Sequence, residues 1–454
     1  MSKAIVKPDH SAEHASAANA TERYTVRCEA SVKGKMNTTG NITDIYTSFK
    51  PVLRISKIFG LIPCVTSKQR TGRYNILRHR ILEISLLLML TAGLISATCY
   101  DVYSVIYSAW SIPEKMKVTQ ILNYIFLRLT NIVILIMRTY FNKRSIMRIF
   151  RKLKNVDNII DRRSRLDIYT RTRLSLSRQT IILFSVLILS HSCNYYIVYN
   201  GENESLLQTS VDNLSYTLNI AMVLQYVTLL RMLSQRYKYV NKIIREYSET
   251  EGTVVQTSLK TYNRPNSSSV NIFCNEKYNL STPTPPYVKS ETCDIHILRL
   301  AYIDLYDTVT LVNSHFGFSI LLLIISLVIV CVTSFYFGLY FFNSSAFVGD
   351  FTRHLKTCML VFWTLVYALP FVWLIISCDN TTQEANRGKV YIQRTTACPN
   401  MKYGTLLQLQ TLSNQLRDMK VEFTACGFFV LNLSLLGTII CGILTYILIM
   451  IQLE

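Results

Sequence analysis

The carboxyl-terminal stretch, residues 424–452, combines membrane length with regularly spaced hydroxyl side chains. It carries no charged residue and exceeds the ~20 residues that a membrane-spanning helix needs. At helical spacing one face collects Ser434, Thr438, Cys441 or Gly442, Thr445, Ile449 and Gln452. Unpaired polar groups are costly in lipid, so this face could line a water-filled pore. The alternative is that the hydroxyls bond back to their own helix and mediate helix packing.

A second set of polar and aromatic residues could bind a small ligand. These residues lie in the outer halves of the second to sixth apolar segments. The candidates for ligand contact are Asn123, Tyr124, Arg128, Asn194, Tyr195, Tyr336, Trp363, Thr364 and Tyr367. Aromatic faces with convergent hydroxyl and amide groups are what a sugar or an alkaloid would need. Packing and the aromatic belts at membrane interfaces are the alternative explanation for each of them.

Interfacial belts explain three of these residues poorly. Arg128 lies near the middle of its segment, where a guanidinium must find a carboxylate, water or backbone carbonyls. Trp363 and Tyr367 are one helical turn apart and deeper than the headgroup level. The same regions carry other polar and aromatic residues, among them His191, Asp212, Tyr216 and Asn219.

No arrangement in the sequence predicts catalysis or a cofactor. The 7 histidines are dispersed, and P-loop, GxSxG and HExxH motifs are absent. The 12 cysteines show no CxxC spacing, which argues against a zinc site and a disulfide framework. The net charge of +20 is partitioned between connectors rather than gathered into a patch, so we predict no nucleic-acid partner.

Seven apolar segments of membrane length predict an all-α, polytopic membrane protein. Their approximate spans are 82–104, 117–139, 180–199, 212–235, 316–342, 355–377 and 424–452. Together with the 50% share of hydrophobic residues, they exclude a soluble multidomain protein.

The distribution of Lys and Arg predicts the orientation of these segments. The connector between the second and third segments is strongly basic, whereas residues 201–209 contain no basic residue. The positive-inside rule therefore predicts a cytosolic N-terminus and, after seven crossings, an extracellular C-terminus. This orientation is opposite to that of a G-protein-coupled receptor. A secondary transporter is a further alternative, although no internal repeat is apparent.

The sequence divides into six predicted regions. The cytosolic N-terminal region, 1–78, is partly disordered and has a short amphipathic helix at 48–64, and transmembrane helices one to four follow at 79–236. The cytosolic connector, 237–315, has helical extensions around a disordered loop at 253–290. Transmembrane helices five and six take 316–378, a cytosolic anchor takes 379–423, and the pore helix takes 424–454. Asn203 and Asn343 fall in predicted outer loops and are candidate glycosylation sites.

The end of the chain resembles a known family. Residues 445–452, TYILIMIQ, match the signature of TY, five hydrophobic residues and Q that ends insect gustatory receptors, and 427–436 is similar to the same family's last helix. The resemblance implies a ligand-gated cation channel of the insect chemoreceptor superfamily. It also implies a tetramer in which four copies of the last helix surround one pore, with a cytoplasmic anchor where subunits meet.

The resemblance places the channel gate in this motif. Leu448 and Ile449 lie one turn below Gln452, and four copies of an aliphatic side chain can close a narrow passage by dewetting. Many relatives have Phe after the Gln, where this chain has Leu453. The predicted pore and gate residues are Ser434, Thr438, Thr445, Leu448, Ile449, Gln452 and Leu453. Four copies of Glu454 would add an acidic ring at the outer mouth that concentrates cations.

The resemblance also bears on the ligand. Sugar-receptor relatives usually carry Glu after the TY pair, whereas this chain has Ile447. A receptor for bitter plant compounds is therefore the first expectation, and a fructose-type sugar or other nutrient receptor is the alternative. The expected partners are a small-molecule tastant, permeating cations, membrane lipid and other copies of itself or related subunits. The expected location is the plasma membrane of chemosensory neurons.

Overall fold

Helices account for almost all of the described chain, as its long apolar segments predict, because lipid offers the backbone no hydrogen-bond partners. The computed structural model describes residues 73–107, 114–137, 143–159, 162–200, 206–262, 291–343, 350–397 and 403–452, together with 49, 52, 54–56 and 59. Most of the predicted amphipathic helix at 48–64 lies outside these residues, as do 263–290, Asn203, Leu453 and Glu454.

Among the described elements, one β-hairpin interrupts the series of helices. In chain order they are α1 (Arg73–Tyr107), α2 (Glu114–Ile136), α3 (Lys143–Ile159), α4 (Arg162–Asn200), α5 (Leu206–Tyr262), α6 (Glu291–Asn343), α7 (Asp350–Thr396), α8 (Tyr403–Asp418), β1 (Thr424–Ala425), β2 (Phe429–Val430) and α9 (Leu433–Gln452). β1 and β2 form an antiparallel hairpin in which Thr424 pairs with Val430.

Six of these helices are long and apolar enough to cross a membrane. Their apolar spans are Ile84–Tyr107, Lys117–Ile136, Thr172–Tyr196, Gln208–Glu246, Ile295–Leu339 and Thr357–Thr396. Leu433–Ile449 in α9 is a shorter apolar helix. The predicted all-α, polytopic architecture is confirmed, with six helices of membrane length and the predicted seventh as a shorter apolar helix.

Helix α5 is the centre of the bundle. Every residue from 218 to 230 is buried, so this helix lacks the one-sided pattern of a surface helix. It packs mainly on α7, and also on α2, α4 and α6. Polar residues within the run, such as Asn219 and Gln225, are therefore enclosed by protein rather than exposed to lipid.

The helical extensions are longer than the sequence predicts. The predicted disordered loop at 253–290 is wrong for 253–262, which continue α5. No proline interrupts the helix before Pro265, and an internal Gly252 costs a helix only about 1 kcal/mol. In the extension of α6, Leu298, Tyr302 and Val309 recur at helical spacing and are buried.

The last helix begins later than predicted. A single helix over 424–452 is wrong for 424–432, because Cys426 and Gly427 adopt left-handed backbone conformations, with φ of 55° and 80°. The Phe428 amide donates to the carbonyl of Ala425 at 3.0 Å and closes the hairpin turn. Asn432 then caps α9, since its Oδ1 accepts from the Leu435 amide at 3.1 Å.

In the predicted anchor, α8 packs through part of its apolar face. Leu409, Leu412 and Leu416 are buried. Leu407 is 53% exposed. It lies on the face that also carries Gln410, which is exposed.

Candidate ligand site and candidate pore

Aromatic rings from three helices meet in one cluster. Trp363 and Tyr367 project from α7 one turn apart, and Tyr216 of α5 lies against both, with ring centroids 5.7 Å and 5.2 Å away. The His191 ring of α4 lies 5.4 Å from Trp363. Together these four residues form what we call the aromatic cluster. Tyr216 and His191 were not among the predicted ligand contacts, although they stand in the region that the sequence singles out.

Tyr367 is held by polar groups of two other helices. The Asn219 amide of α5 donates to the Tyr367 hydroxyl at 3.1 Å, and the Ser326 hydroxyl of α6 lies 3.4 Å from it. His191 Nε2 lies 2.9 Å from the Thr217 hydroxyl. These bonds fix the aromatic cluster between α4, α5, α6 and α7.

Several buried polar atoms in and next to the aromatic cluster have no hydrogen-bond partner among the described residues. They are Trp363 Nε1, His191 Nδ1 and Asn219 Oδ1. An unsatisfied buried donor or acceptor typically costs about 1–3 kcal/mol. A water molecule or a polar ligand would offset that cost, which makes this cluster the best candidate for a ligand site.

Arg128 on α2 finds the carboxylate partners that its position requires. It is fully buried and forms ion pairs with Asp101 of α1 and, at 2.7 Å, with Asp212 of α5. Its guanidinium carbon lies 5.4 Å from the centre of the Tyr124 ring, in cation–π geometry. Asp212 stands one turn before Tyr216, so this group, which we call the Arg128 triad, adjoins the aromatic cluster.

The structure brings some predicted ligand residues together and leaves others apart. Asn123 lies near the Tyr216 hydroxyl, and Tyr124 lies beside Arg128. Asn194 reaches the same region indirectly, by donating to Asn213 Oδ1 at 3.1 Å.

Three predicted ligand residues lie outside this arrangement. Tyr195 is at the surface, where its hydroxyl donates to Ser210 at 2.9 Å. The Thr364 hydroxyl donates to its own helix, at the Leu360 carbonyl. Tyr336 is buried on α6, ten residues beyond Ser326, which is about 15 Å along a helix.

Comparison with known proteins decides the family. Residues 49–454 match the 7tm Chemosensory receptor family, which is most of the 454-residue chain. The chain belongs to that family. Over 288 residues, 60% of this chain, it is 21% identical to gustatory receptor 28b of Drosophila melanogaster. The matched region spans 58% of that relative, less than two thirds of its length.

This chemosensory receptor also shares a fold with solved structures. It is similar to the insect olfactory receptor OR5 from Machilis hrabei in complex with eugenol, with a TM-score of 0.63 and 13% identity. A second structure of the same receptor gives a TM-score of 0.61. Both matches cover 89% of this chain and 98% of that chain. The resemblance to insect chemoreceptors is confirmed.

The terminal helix of the receptor has two opposite faces. Leu435, Leu436, Ile439 and Ile443 pack against the core of the chain. The predicted pore residues lie on a different side, whose mean direction is about 130° around the helix from that of the packed residues, and they are exposed. They are Ser434, Thr438, Thr445, Ile449 and Gln452. Leu448 is also exposed, at the edge of this face.

Two hydroxyls on the exposed face bond to their own helix. Thr438 donates to the Ser434 carbonyl at 3.2 Å and Thr445 to the Cys441 carbonyl at 2.9 Å. This is the hydrogen bonding that the packing alternative expects, and it leaves the outer side of each oxygen free to contact water or another subunit.

Helix α6 clamps the hairpin that leads into α9. The Asn313 side chain donates to the Glu422 carbonyl at 2.7 Å and accepts from the Thr424 amide at 3.3 Å. At Gly317, one turn further, a Cβ atom would lie 2.9 Å from the Cys426 amide nitrogen. Sequence reasoning missed this clamp, because it depends on a hairpin that periodicity does not reveal.

The two candidate glycosylation sites lie at or between helix ends. Asn343 is the last residue of α6, so it stands at the end of a membrane-spanning helix. Asn203 lies between the described ends of α4 and α5.

Proposed function

We propose that this chain is a gustatory receptor, a tastant-gated and non-selective cation channel that responds to bitter plant compounds. The observation that carries the proposal is the division of α9 into a face packed on its own core and an opposite exposed face with Ser434, Thr438 and Thr445. A helix whose polar face points away from its own subunit suits a pore shared by several copies. Membership of the chemosensory receptor family supports the same function.

The proposed ligand site is the aromatic cluster with the neighbouring Arg128 triad. Buried aromatic faces beside unsatisfied polar atoms are the features of a site for a small organic molecule. The structurally similar OR5 receptor has been solved in complex with eugenol, which supports a small-molecule site in a receptor of this fold.

Gating would couple this site to the last helix through α6. That helix contacts Tyr367 through Ser326 and holds the hairpin before α9 through Asn313. A ligand shifts the closed–open equilibrium only by its differential affinity for the two states. We propose that the bound ligand favours a position of α6 in which the last helices separate.

The proposed assembly is a tetramer in the plasma membrane of chemosensory neurons, built from this chain or from this chain and related subunits. The proposed orientation has a cytosolic N-terminus and an extracellular C-terminus. In that orientation the Glu454 carboxylates would surround the outer mouth and favour cations over anions.

Calcium imaging and patch-clamp recording of cells that express this chain alone test the proposal. We expect currents in response to plant alkaloids, with a reversal potential that follows cations under ion substitution. Ligand-dependent uptake of a radiolabelled compound without current would indicate a transporter instead. A response restricted to sugars would be consistent with a channel but would contradict bitter compounds as the ligand class. Clear anion permeability would contradict cation selectivity.

A further inference from the structure

Two arginines of neighbouring helices meet where α4 packs on α5. Arg231 of α5 donates from Nη1 to the Ser175 hydroxyl of α4 at 2.9 Å and to Gln179 Oε1. Arg178 of α4 is close enough for its charge to repel that of Arg231. Neither guanidinium forms an ion pair within the described part of the chain. We call Arg178 and Arg231 the arginine pair.

The two helices carry no acidic residue near the arginine pair. α4 has no Asp or Glu from 168 to 200, and α5 has none from 213 to 245. Asp167 lies 11 residues before Arg178 and Glu246 lies 15 residues after Arg231, which is about 16 Å and 22 Å along a helix. The counter-charge of the arginine pair therefore comes from outside these two helices.

The arginine pair lies about one membrane thickness from the connector between α4 and α5. Arg178 is 22 residues before Asn200, and Arg231 is 25 residues after Leu206, which is about 33 Å and 38 Å along the helices. The hydrocarbon core of a membrane is about 30 Å thick. Both guanidinium groups therefore lie near the lipid headgroups of the opposite face, which the proposed orientation makes the cytosolic face.

The surface around Arg178 faces lipid. Arg178 is exposed, and Leu174, Ile181 and Ile182, which lie one turn before and after it on α4, are each more than half exposed. Apolar side chains on the outside of a membrane-spanning helix contact acyl chains. A guanidinium among them extends to the headgroup boundary, where phosphate groups are within its reach.

A phosphate group suits the arginine pair better than other anions of the membrane boundary. The guanidinium fork matches the spacing of phosphate oxygens, and such charge-assisted hydrogen bonds are roughly twice as strong as neutral ones. Basic pockets between transmembrane helices on the cytoplasmic side bind anionic headgroups in the same way. Phosphatidylcholine carries its own cation beside the phosphate, which two arginines would repel.

We propose that the arginine pair binds the phosphate of an anionic phospholipid, whose acyl chains lie against Leu174 and Ile181. Its placement in the cytosolic leaflet rests on the proposed orientation, but the binding depends neither on conduction nor on a tastant. Helix α4 packs chiefly on α5. A lipid that bridges Arg178 and Arg231 therefore fastens to the bundle the helix that carries His191 of the aromatic cluster.

Three probes test the role of the headgroup. Dioctanoyl phosphatidic acid and dioctanoyl phosphatidylcholine have the same acyl chains and differ in headgroup charge, and inorganic phosphate has no acyl chain. Binding is measured as the rise in thermal midpoint of the purified full-length receptor, in a neutral detergent, with increasing probe concentration. A ligand that binds only the folded state raises this midpoint.

We expect phosphatidic acid to bind at least about tenfold more tightly than phosphatidylcholine, as hydrogen bonds between charged groups imply. Inorganic phosphate at the same concentrations should leave the midpoint unchanged. Arg178→Gln should abolish the preference for phosphatidic acid without unfolding the receptor, because Arg178 is exposed and makes no ion pair with a described residue. Arg173→Gln makes the same charge change at an exposed position of α4, about 140° around the helix, and should preserve the preference.

Equal binding of the two lipids would overturn the lipid site. A preference for phosphatidic acid that survives in Arg178→Gln, or that falls equally in Arg173→Gln, would also overturn it. A rise in midpoint with inorganic phosphate as large as that with phosphatidic acid would indicate a site for a free anion and contradict a lipid. A preference for phosphatidic acid that requires Arg178, in a receptor that no tastant opens, would support the lipid site and contradict only the proposed channel.

Discussion

Gly388 of α7 occupies a position with no room for a side chain. A Cβ atom there would collide with the Tyr302 hydroxyl and lie 2.5 Å from Asn241 Oδ1. These two residues form a buried network in which Tyr302 donates to Asn241 and the Asn241 amide donates to the Glu384 carbonyl at 2.7 Å. The network joins α5, α6 and α7, and the glycine is what lets the three helices approach.

Gly388→Ala should therefore destabilise the receptor by about 1–3 kcal/mol, although alanine is the better helix former. The thermal midpoint of the purified protein measures the effect, and removal of the clashing hydroxyl in Gly388→Ala/Tyr302→Phe should recover part of it. Gly93→Ala is the matched control, because nothing lies within 4 Å of a Cβ at that exposed helical position. Equal midpoints for the Gly388 and Gly93 variants would contradict the close approach.

Lys152 of α3 makes a pH-dependent link to α6. Its Nζ donates to Asp307 at 2.7 Å and to Asp304 at 3.0 Å. Burial alone would lower the pKa of Lys152, but the hydrogen bonds to Asp307 and Asp304 outweigh it and raise the pKa above the ordinary 10.5. A raised lysine pKa stabilises the folded state fully below the unfolded pKa, and the contribution disappears as pH rises through the folded pKa.

Lys152→Met should accordingly lower stability at neutral pH by up to about 1 kcal/mol, as partly exposed ion pairs do. The difference from the wild type should vanish once the pH exceeds the raised pKa of Lys152. Thermal midpoints measured across that range test this, with Lys154→Met, at an exposed position of the same helix, as the control. A difference that persists unchanged at high pH would mean that packing, and not charge, links the two helices.

At the scale of the element, the proposed gate predicts different effects for two exposed isoleucines of α9. Ile449 lies on the proposed pore face and is 45% exposed, and Ile440 is 56% exposed about 180° away around the helix. If four copies of Ile449 close the pore by dewetting, Ile449→Ser should hydrate the constriction and raise the basal current several-fold. Whole-cell recording without ligand measures this.

Ile440→Ser is the matched control, because it places the same hydroxyl on the same helix but away from the proposed pore. It should leave the basal current unchanged. A similar rise in both variants would show that serine loosens α9 generally, and no rise with Ile449→Ser would rule out an aliphatic gate at that position.

The clamp between α6 and the hairpin makes a prediction about coupling. Gly317→Ala would place a Cβ 2.9 Å from the Cys426 backbone nitrogen, so the hairpin or α6 must shift. We expect ligand-evoked current to fall several-fold while ligand binding by the same protein persists. Gly338→Ala, where a Cβ meets nothing within 4 Å on the same helix, should change neither quantity. Parallel loss of binding and current would mean that the substitution damages the fold rather than the coupling.

The apolar helices were predictable from the sequence, whereas the start of α9 and the ion pairs between helices were not. Length and hydropathy are local properties, so each of the seven predicted apolar segments overlaps an apolar helix, and six of those helices are long enough to cross a membrane. The start of α9 was missed because left-handed turns at Cys426 and Gly427 interrupt an apolar run without changing its hydropathy. The need of Arg128 for a carboxylate was predictable from its depth, but its pairing with Asp101, 27 residues earlier on another helix, depends on tertiary packing.

At the scale of the whole molecule, the central helices are far longer than a membrane is thick. The 57 residues of α5 span about 85 Å, whereas the hydrocarbon core is about 30 Å. The bundle must therefore project well beyond one membrane face. The projecting part holds the buried pair of Arg236 with Asp157 and the link from Lys152 to α6, which tie α3 to the long helices.

Glycan mapping decides which membrane face carries this projection. In the proposed orientation the loop with Asn203 and the end of α6 at Asn343 are extracellular, so only these sequons meet the glycosylation machinery. Asn203→Gln combined with Asn343→Gln should abolish the shift in electrophoretic mobility produced by endoglycosidase, whereas Asn279→Gln, in a sequon of the connector predicted to be cytosolic, should preserve it. A glycan that is lost with Asn279→Gln would reverse the orientation. The C-terminus would then be cytosolic, and the acidic ring proposed for the outer mouth of the pore would face the wrong side of the membrane.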